Sequence, residues 1–258
     1  MDFDPATSLR ILNNERLRRA HHWGDYVDLG GALALTSDAP LEDMNCIESF
    51  ATDRRHLESL LDIGFSLLRM YDRAPAVRLT PLDRPRGIEK VLRQRRLHEV
   101  ERTVAMVYRR DDPPQLNPHV DVRIATADDV ITFRDIVAPA SAPPWLRRIM
   151  RSAILSSMSQ PWHTFYIGAI DGQPAGTLHL LCEGATAGIY AVATVRAQRG
   201  RGVQTALLAR AVADARAAGC DLIALRTAPA GDARRLFEHV GFVPAHEQAL
   251  WTAAEPET

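Results

Sequence analysis

Apolar positions in the second half of this chain switch between a period of two and a period near 3.6, and each switch marks a new element. Val120 to Ala125 alternates as a strand. Thr126 with Asp128 and Asp129 marks a helix start leading into Ile131, Phe133 and Ile136. Beyond Pro143-Pro144, Leu146, Ile149, Met150, Ala153 and Ile154 recur at helical spacing and predict a helix over Trp145 to Ser156. His163 to Ile170 and Ala175 to Leu181 read as two strands around a hairpin turn at Asp171-Gly172-Gln173-Pro174. A strand from Gly188 to Val195 comes next, followed by a helix from Val203 to Ala218 that stops at Gly219. A strand over Leu222 to Thr227, a helix over Asp232 to Val240 closing at Gly241, and a strand around Gln248 to Thr252 complete the series. The order β-α-α-β-β-β-α-β-α-β predicts a mixed α/β fold, a central mixed sheet flanked by helices.

The first half carries a fainter copy of the end of this pattern. Asn45 to Phe50, Ala76 to Thr80 and Thr103 to Tyr108 read as strands, with helices over Arg54 to Met70 and Gly87 to Arg95 between them. That β-α-β-α-β order matches the one from Gly188 to Thr252 and suggests a degenerate tandem repeat. The stretch from Arg109 to Pro118 is charged, then proline-rich and without apolar periodicity, so it reads as a linker. Two domains are expected, 1–112 and 119–258, each of ordinary size.

Composition narrows the classes of partner. With 31 basic and 32 acidic residues in 258, the chain has no overall basic field that would recommend a nucleic acid or an anionic membrane. The start, Met1-Asp2-Phe3-Asp4-Pro5, has neither a basic nor an apolar leader segment, which points to the cytoplasm. Cys46, Cys182 and Cys220 are few and far apart and read as reduced thiols in or near the core. His21-His22, His56, His98, His119 and His246 show no metal-ligand spacing, so no metal is expected. The Arg-rich run from Arg84 to Arg102 reads as a solvated helix face.

The stretch most suggestive of chemistry is Arg199-Gly200-Arg201-Gly202-Val203-Gln204-Thr205, set between a strand and a helix start. Glycine lets backbone approach a ligand that a Cβ would obstruct, and the free N–H groups and dipole at a helix start favour an anion. Arg199 and Arg201 can add charge-assisted contacts. No Gly-Lys-Ser/Thr follows, so the loop is not a nucleotide P-loop.

With this motif in place, residues 120 to 252 resemble a GCN5-related N-acetyltransferase (GNAT) domain. The family motif Arg/Gln-x-x-Gly-x-Gly/Ala stands here as Arg199-Gly200-Arg201-Gly202-Val203-Gln204, with Gln204 in place of the small residue. The ending Phe237-Glu238-His239-Val240-Gly241-Phe242 resembles the family's closing helix, with Phe237 where a Tyr often stands. The first half, with Ala51-Thr52-Asp53-Arg54-Arg55 and no glycine in the corresponding loop, resembles a degenerate GNAT domain lacking the phosphate site.

The resemblance implies an N-acetyltransferase that uses acetyl-CoA and a primary amine, the amine attacking the thioester directly. It implies that Val192, Ala193 and Thr194 pair with the pantetheine arm through backbone groups, and that Arg199 to Thr205 hold the pyrophosphate. Phe237 has no hydroxyl to protonate the departing thiolate, although a thiol of pKa about 8.5 leaves tolerably unaided. For the base, Tyr190, Glu183 and His179 lie on or beside the central strands, and each also has a purely structural reading. A non-catalytic acyl-CoA-binding regulatory module is the alternative. The expected acceptor is a small-molecule or peptide amine, and the chain a monomer or homodimer. Trp145 falls where the family tends to place substrate-gating residues, or packs as a helix-start aromatic.

Overall fold

The computed structural model describes residues 3–112, 114, 117–138 and 141–253. Met1, Asp2, the linker residues Pro113, Gln115 and Leu116, and the end of the expected second domain, 254–258, lie outside the described residues. In chain order the elements are α1 (Pro5–His22), β1 (Gly24–Asp28), β2 (Leu33–Ser37), β3 (Cys46–Glu48), α2 (Leu57–Met70), β4 (Ala76–Leu79), α3 (Ile88–Gln94) and β5 (Leu97–Tyr108). They continue with β6 (Asp121–Ile124), α4 (Val130–Val137), α5 (Pro144–Met158), β7 (His163–Ile170), β8 (Gln173–Glu183), β9 (Thr186–Thr194), α6 (Val203–Ala217), β10 (Leu222–Thr227), α7 (Asp232–Val240) and β11 (Phe242–Ala253). No helix among the described residues is long and apolar enough to cross a membrane.

These elements make two compact units whose membership does not follow chain order. One takes residues 3–9, 23–104 and 246–253, the other 10–22 and 105–245. The expected domains, 1–112 and 119–258, were drawn by chain position. In the first unit the strand order is β1-β2-β3-β4-β11-β5. Here α2 buries Leu57, Leu60, Leu61, Gly64, Phe65 and Leu68, a stripe at i, i+3, i+4, i+7, i+8 and i+11. The stripe packs with Ile47 of β3, Val77 of β4 and Trp251 of β11 in one apolar cluster.

The second unit has the order β11-β5-β10-β9-β8-β7-β6. β7 and β8 are antiparallel and joined by Asp171 and Gly172, with φ of 51° and 73°. Positive φ at both turn positions is what a two-residue hairpin requires, and Asp-Gly supplies it cheaply. On one face α4 and α5 bring Val130, Phe133 and Ile154 onto Phe165 and Ile167 of β7. On the other, α6 comes close enough that a Cβ on Gly168 would meet Val203 Cγ1 at 3.2 Å, and one on Gly176 would meet it at 2.6 Å. The small residues thus set the height of α6 above the sheet.

The tandem pattern recurs in strand pairing as well as in order. β3 and β4, joined through α2, are parallel with Ile47 opposite Val77, and β9 and β10, joined through α6, are parallel with Leu222 opposite Thr186. Three elements go beyond the sequence expectation: α1, β1 and β2. α1 starts at an Asp4 cap, whose carboxylate accepts the N–H groups of Ala6 and Thr7 at 3.1 Å each. It buries Ser8, Asn14, Glu15 and Arg19 alongside Ile11 and Leu12, so its inward face has little apolar contrast with its outward face.

Candidate active site

Two departures from regular sheet geometry shape the site. First, β9 and β10 run side by side only as far as Leu225 opposite Ile189, while β9 continues to Thr194. From Tyr190 onward, the β9 edge toward β10 therefore has no further β10 rung among the described residues. Second, the β8–β9 register slips between the pairs His179–Tyr190 and Thr177–Ala193, two residues on β8 against three on β9. The extra residue is a bulge, with Ala191 at φ 50° and its carbonyl accepting the Thr177 hydroxyl at 3.1 Å. A left-handed Ala is costly unless its surroundings impose it, and such strain concentrates at functional sites.

The opened edge leads through a single 3-10 turn, Arg196–Gln198, into the Gly/Arg loop. Gly202 is the residue before α6, left-handed at φ 79° and without a side-chain cap on the helix. The first N–H groups of α6, from Val203, Gln204 and Thr205, have no acceptor within the helix and are available to an anion. Asn117 Nδ2 donates to Arg201 O at 3.1 Å, which ties the loop down. Arg201 is turned toward Gln198 and Asp171, at 2.6 and 3.6 Å, whereas Arg199 is exposed. Val192 and Ala193 line the part-exposed edge, and the Thr194 hydroxyl is buried with no hydrogen-bond partner. An orphaned buried hydroxyl at that place suits a polar ligand lying along β9.

In the first unit the corresponding loop accommodates its own anion. The Asp53 carboxylate accepts the N–H groups of Arg55 and His56 at 2.8 and 3.0 Å, immediately before α2. A phosphate would find those donors taken and a negative charge beside them.

Of the three candidate bases, the structure brings two together. His179 and Tyr190 face each other across β8 and β9, with ring centroids 5.7 Å apart. Glu183 lies four residues farther along β8, about 13 Å at the usual rise of a strand, exposed at the hairpin end opposite Thr186. Tyr190 donates its hydroxyl to Asn14 Oδ1 at 2.7 Å, and Asn14 Nδ2 in turn donates to the carbonyls of Leu181 and Thr186 at 3.3 Å. Burial pushes the Tyr190 phenol well up, so at neutral pH it is a donor rather than a base.

His179 ends a row of imidazoles that no sequence spacing announced. His163 Nδ1 lies 2.8 Å from His179 Nε2, and His163 Nε2 lies 3.1 Å from His21 Nδ1. The centroid separations, 5.0 and 5.3 Å, exceed these by about one ring width, so each pair of nitrogens points at the other. His22 stands beside the row, its Nδ1 donating to the Arg18 carbonyl at 3.0 Å. Nitrogens of His22, His163 and His179 lie within 4.8 Å of one another. A shared zinc would need lone pairs converging on one point about 2.0 to 2.1 Å away, whereas His163 and His179 turn one nitrogen each toward the other, one donating and one accepting. The grouping joins residues some 140 positions apart, beyond the reach of local spacing.

Burial is the main cause that holds this row neutral. It takes His163 down to about 4 and His22 and His179 well below the ordinary imidazole value. An unfolded chain binds protons at these positions below pH 6.5 that the folded chain refuses, so stability falls as pH drops from about 6.5 toward 4. Unfolding midpoints measured across that window are expected to fall less steeply for His163→Gln, by up to about 1 kcal/mol per pH unit. An unchanged slope contradicts the buried neutral assignment.

The remaining family positions also have clear placements. Phe237 is buried and meets the Phe242 ring at 6.2 Å, an aromatic contact in place of a hydroxyl. Trp145 is 39% exposed at the start of α5, which removes the core-packing reading.

The sequence profile of the Acetyltransferase (GNAT) family matches residues 130–242, the segment that holds the bulge, the opened edge and the Gly/Arg loop. That segment is a GNAT-family domain. The fold is shared with solved GNAT structures at low identity. A GCN5-related N-acetyltransferase from Kribbella flavida is 16% identical, with a TM-score of 0.76 over 99% of this chain and 98% of its own. One from Sphaerobacter thermophilus is 17% identical, with 0.68 over 92% and 84%. A tandem GNAT protein from the clavulanic acid biosynthesis pathway is 15% identical, with 0.64 over 88% and 80%. No curated protein matches the sequence. The match of residues 130–242 supports acyl transfer as the general activity.

Proposed function

We propose that this chain is a tandem GNAT protein whose second domain transfers an acetyl group from acetyl-CoA to a primary amine, with the first domain a degenerate relative. The observation that carries this reading is the opened edge of β9 running directly into the uncapped start of α6. A pantetheine arm pairs along Val192, Ala193 and Thr194, whose orphaned hydroxyl gains a partner. The pyrophosphate lies against Arg199, Gly200, Arg201, Gly202, Val203, Gln204 and Thr205, met by backbone N–H groups and the helix dipole. Gln204 is tolerated because backbone, not its side chain, makes that contact.

The amine nitrogen attacks the thioester carbonyl carbon, the C–S bond breaks, and amide and thiol are the products. An ammonium of pKa about 10 must first shed a proton. His179 accepts it only in passing, since burial disfavours its charged form, His163 relays it, and His21, its pKa lowered by burial against the attraction of Glu183, releases it to solvent. Tyr190, held protonated with its hydroxyl donating to Asn14 Oδ1, walls the opening beside His179. Phe237 leaves the thiolate to take the second amine proton. Direct attack of this kind requires no metal. Three free cysteines fit a reducing cytoplasm.

The alternative of a non-catalytic acyl-CoA-binding module rests on Phe237. Calorimetry with acetyl-CoA tests binding, and absence of heat at millimolar ligand refutes both readings. Thiol release across a panel of amines separates them: an enzyme consumes acetyl-CoA faster with some acceptor, and a sensor with none.

A further inference from the structure

The geometry points to an anionic group on the amine acceptor, a carboxylate or phosphate, held by the guanidinium of Arg18 on the Tyr190 side of the opening. This rests on the acetyl-transfer reading above and narrows its acceptor. Arg18 comes from the last turns of α1 and places its guanidinium carbon 4.6 Å from the centroid of the Tyr190 ring. Tyr190 is the first β9 residue past the last β9–β10 rung, and Arg226 is the first β10 residue past it. Parallel neighbours in register point to the same face, so Tyr190 and Arg226 flank the mouth of the opening on one side. An acceptor whose nitrogen reaches a thioester there has its substituents beside Arg18.

Arg18 is also short of negative charge. Its Nε is buried and makes no hydrogen bond, and its face is spent on an aromatic ring, not on a carboxylate. Arg19 and Arg226 are close enough to repel it, against the attraction of Glu15 and Tyr190. Burial, helped by those two cations, pulls its pKa down to about 10, which leaves it charged at neutral pH. A buried Nε–H without an acceptor is costly, and an anion with two oxygens can take it together with a second N–H of the same fork. Tyr166, on the opposite face of the sheet, shows the contrast: it donates to Asp214, which also accepts Arg210, both at 2.8 Å, so that polar group is satisfied within the fold.

Matched acceptor pairs test this in the full chain. Thiol release is measured for lysine against cadaverine, phenylalanine against phenethylamine, and phosphoethanolamine against ethanolamine. The anion-bearing member of at least one pair is expected to show kcat/KM higher by about tenfold or more, and the pair concerned separates carboxylate from phosphate. Arg18→Gln is expected to abolish that preference through KM, leave acetyl-CoA affinity unchanged, and be partly rescued by Arg18→Lys. Equal or better turnover of the uncharged-tail amines overturns the inference, as does an Arg18→Gln variant that keeps the preference. If no amine is acetylated, the transfer reading fails separately. Calorimetric titration of the same anions into the CoA-saturated chain then decides the Arg18 site, present in the wild type and lost in Arg18→Gln, or absent from both.

Discussion

Gly202→Asp is expected to weaken acetyl-CoA binding by about 100-fold or more, the sum of a displaced backbone and a carboxylate set against the pyrophosphate. Gly202 holds φ 79° immediately before α6, where an L-residue costs about 1 to 2 kcal/mol. A Cβ built there runs into the Asn117 side chain, the same group that tethers the loop through the Arg201 carbonyl. The aspartate oxygens would also compete for the free N–H groups of α6, as Asp53 does ahead of α2 in the first unit. Gly202→Ala carries the backbone penalty without the charge and is expected to bind acetyl-CoA more tightly than Gly202→Asp. Calorimetry on both variants checks this, and Gly202→Asp binding within about threefold of the wild type would remove the loop from the cofactor site.

Leu207→Ala is expected to lower stability by about 3 kcal/mol, from lost burial plus the cavity left behind. Leu207 is fully buried in α6 and packs over Gly168 and Gly176, where the helix rests on β7 and β8. With glycine below, no side chain can swing in to fill the space, so the site collapses poorly. The thermal midpoint should fall by roughly 6 to 12 °C. Acetyl-CoA affinity measured well below that midpoint should stay within a few-fold of the wild type, because Leu207 faces the sheet and the ligand-binding donors lie a turn earlier. A shift of less than about 1 kcal/mol would mean that α6 is not anchored through this contact.

How far the fold could be read from the chain depended on contrast between buried and exposed faces. α2 was legible because Leu57, Leu61, Phe65 and Leu68 stand against charged neighbours, and β10 and α7 were bounded by glycines and turn residues. α1 was not, because it buries Asn14, Glu15 and Arg19, and the partners that make burial of Asn14 tolerable, Leu181, Thr186 and Tyr190, are remote in sequence. β5 and β11 run longer than their apolar cores suggested, and each has residues in both units. The bulge at Ala191 left no local mark, as alanine is not a residue that advertises positive φ.

The Gly/Arg loop belongs to the sequence. Glycine at 200 and 202, a preceding strand and a following helix are local requirements of a backbone anion cradle, and local requirements are written in adjacent residues. The acceptor side belongs to the tertiary structure. Arg18, Tyr190 and Arg226, and the row His21, His163 and His179, are joined only when α1 returns to the sheet more than 140 residues later in the chain. Charge and proton transfer between such groups depend on distances of a few ångströms in space, which spacing along a chain does not record.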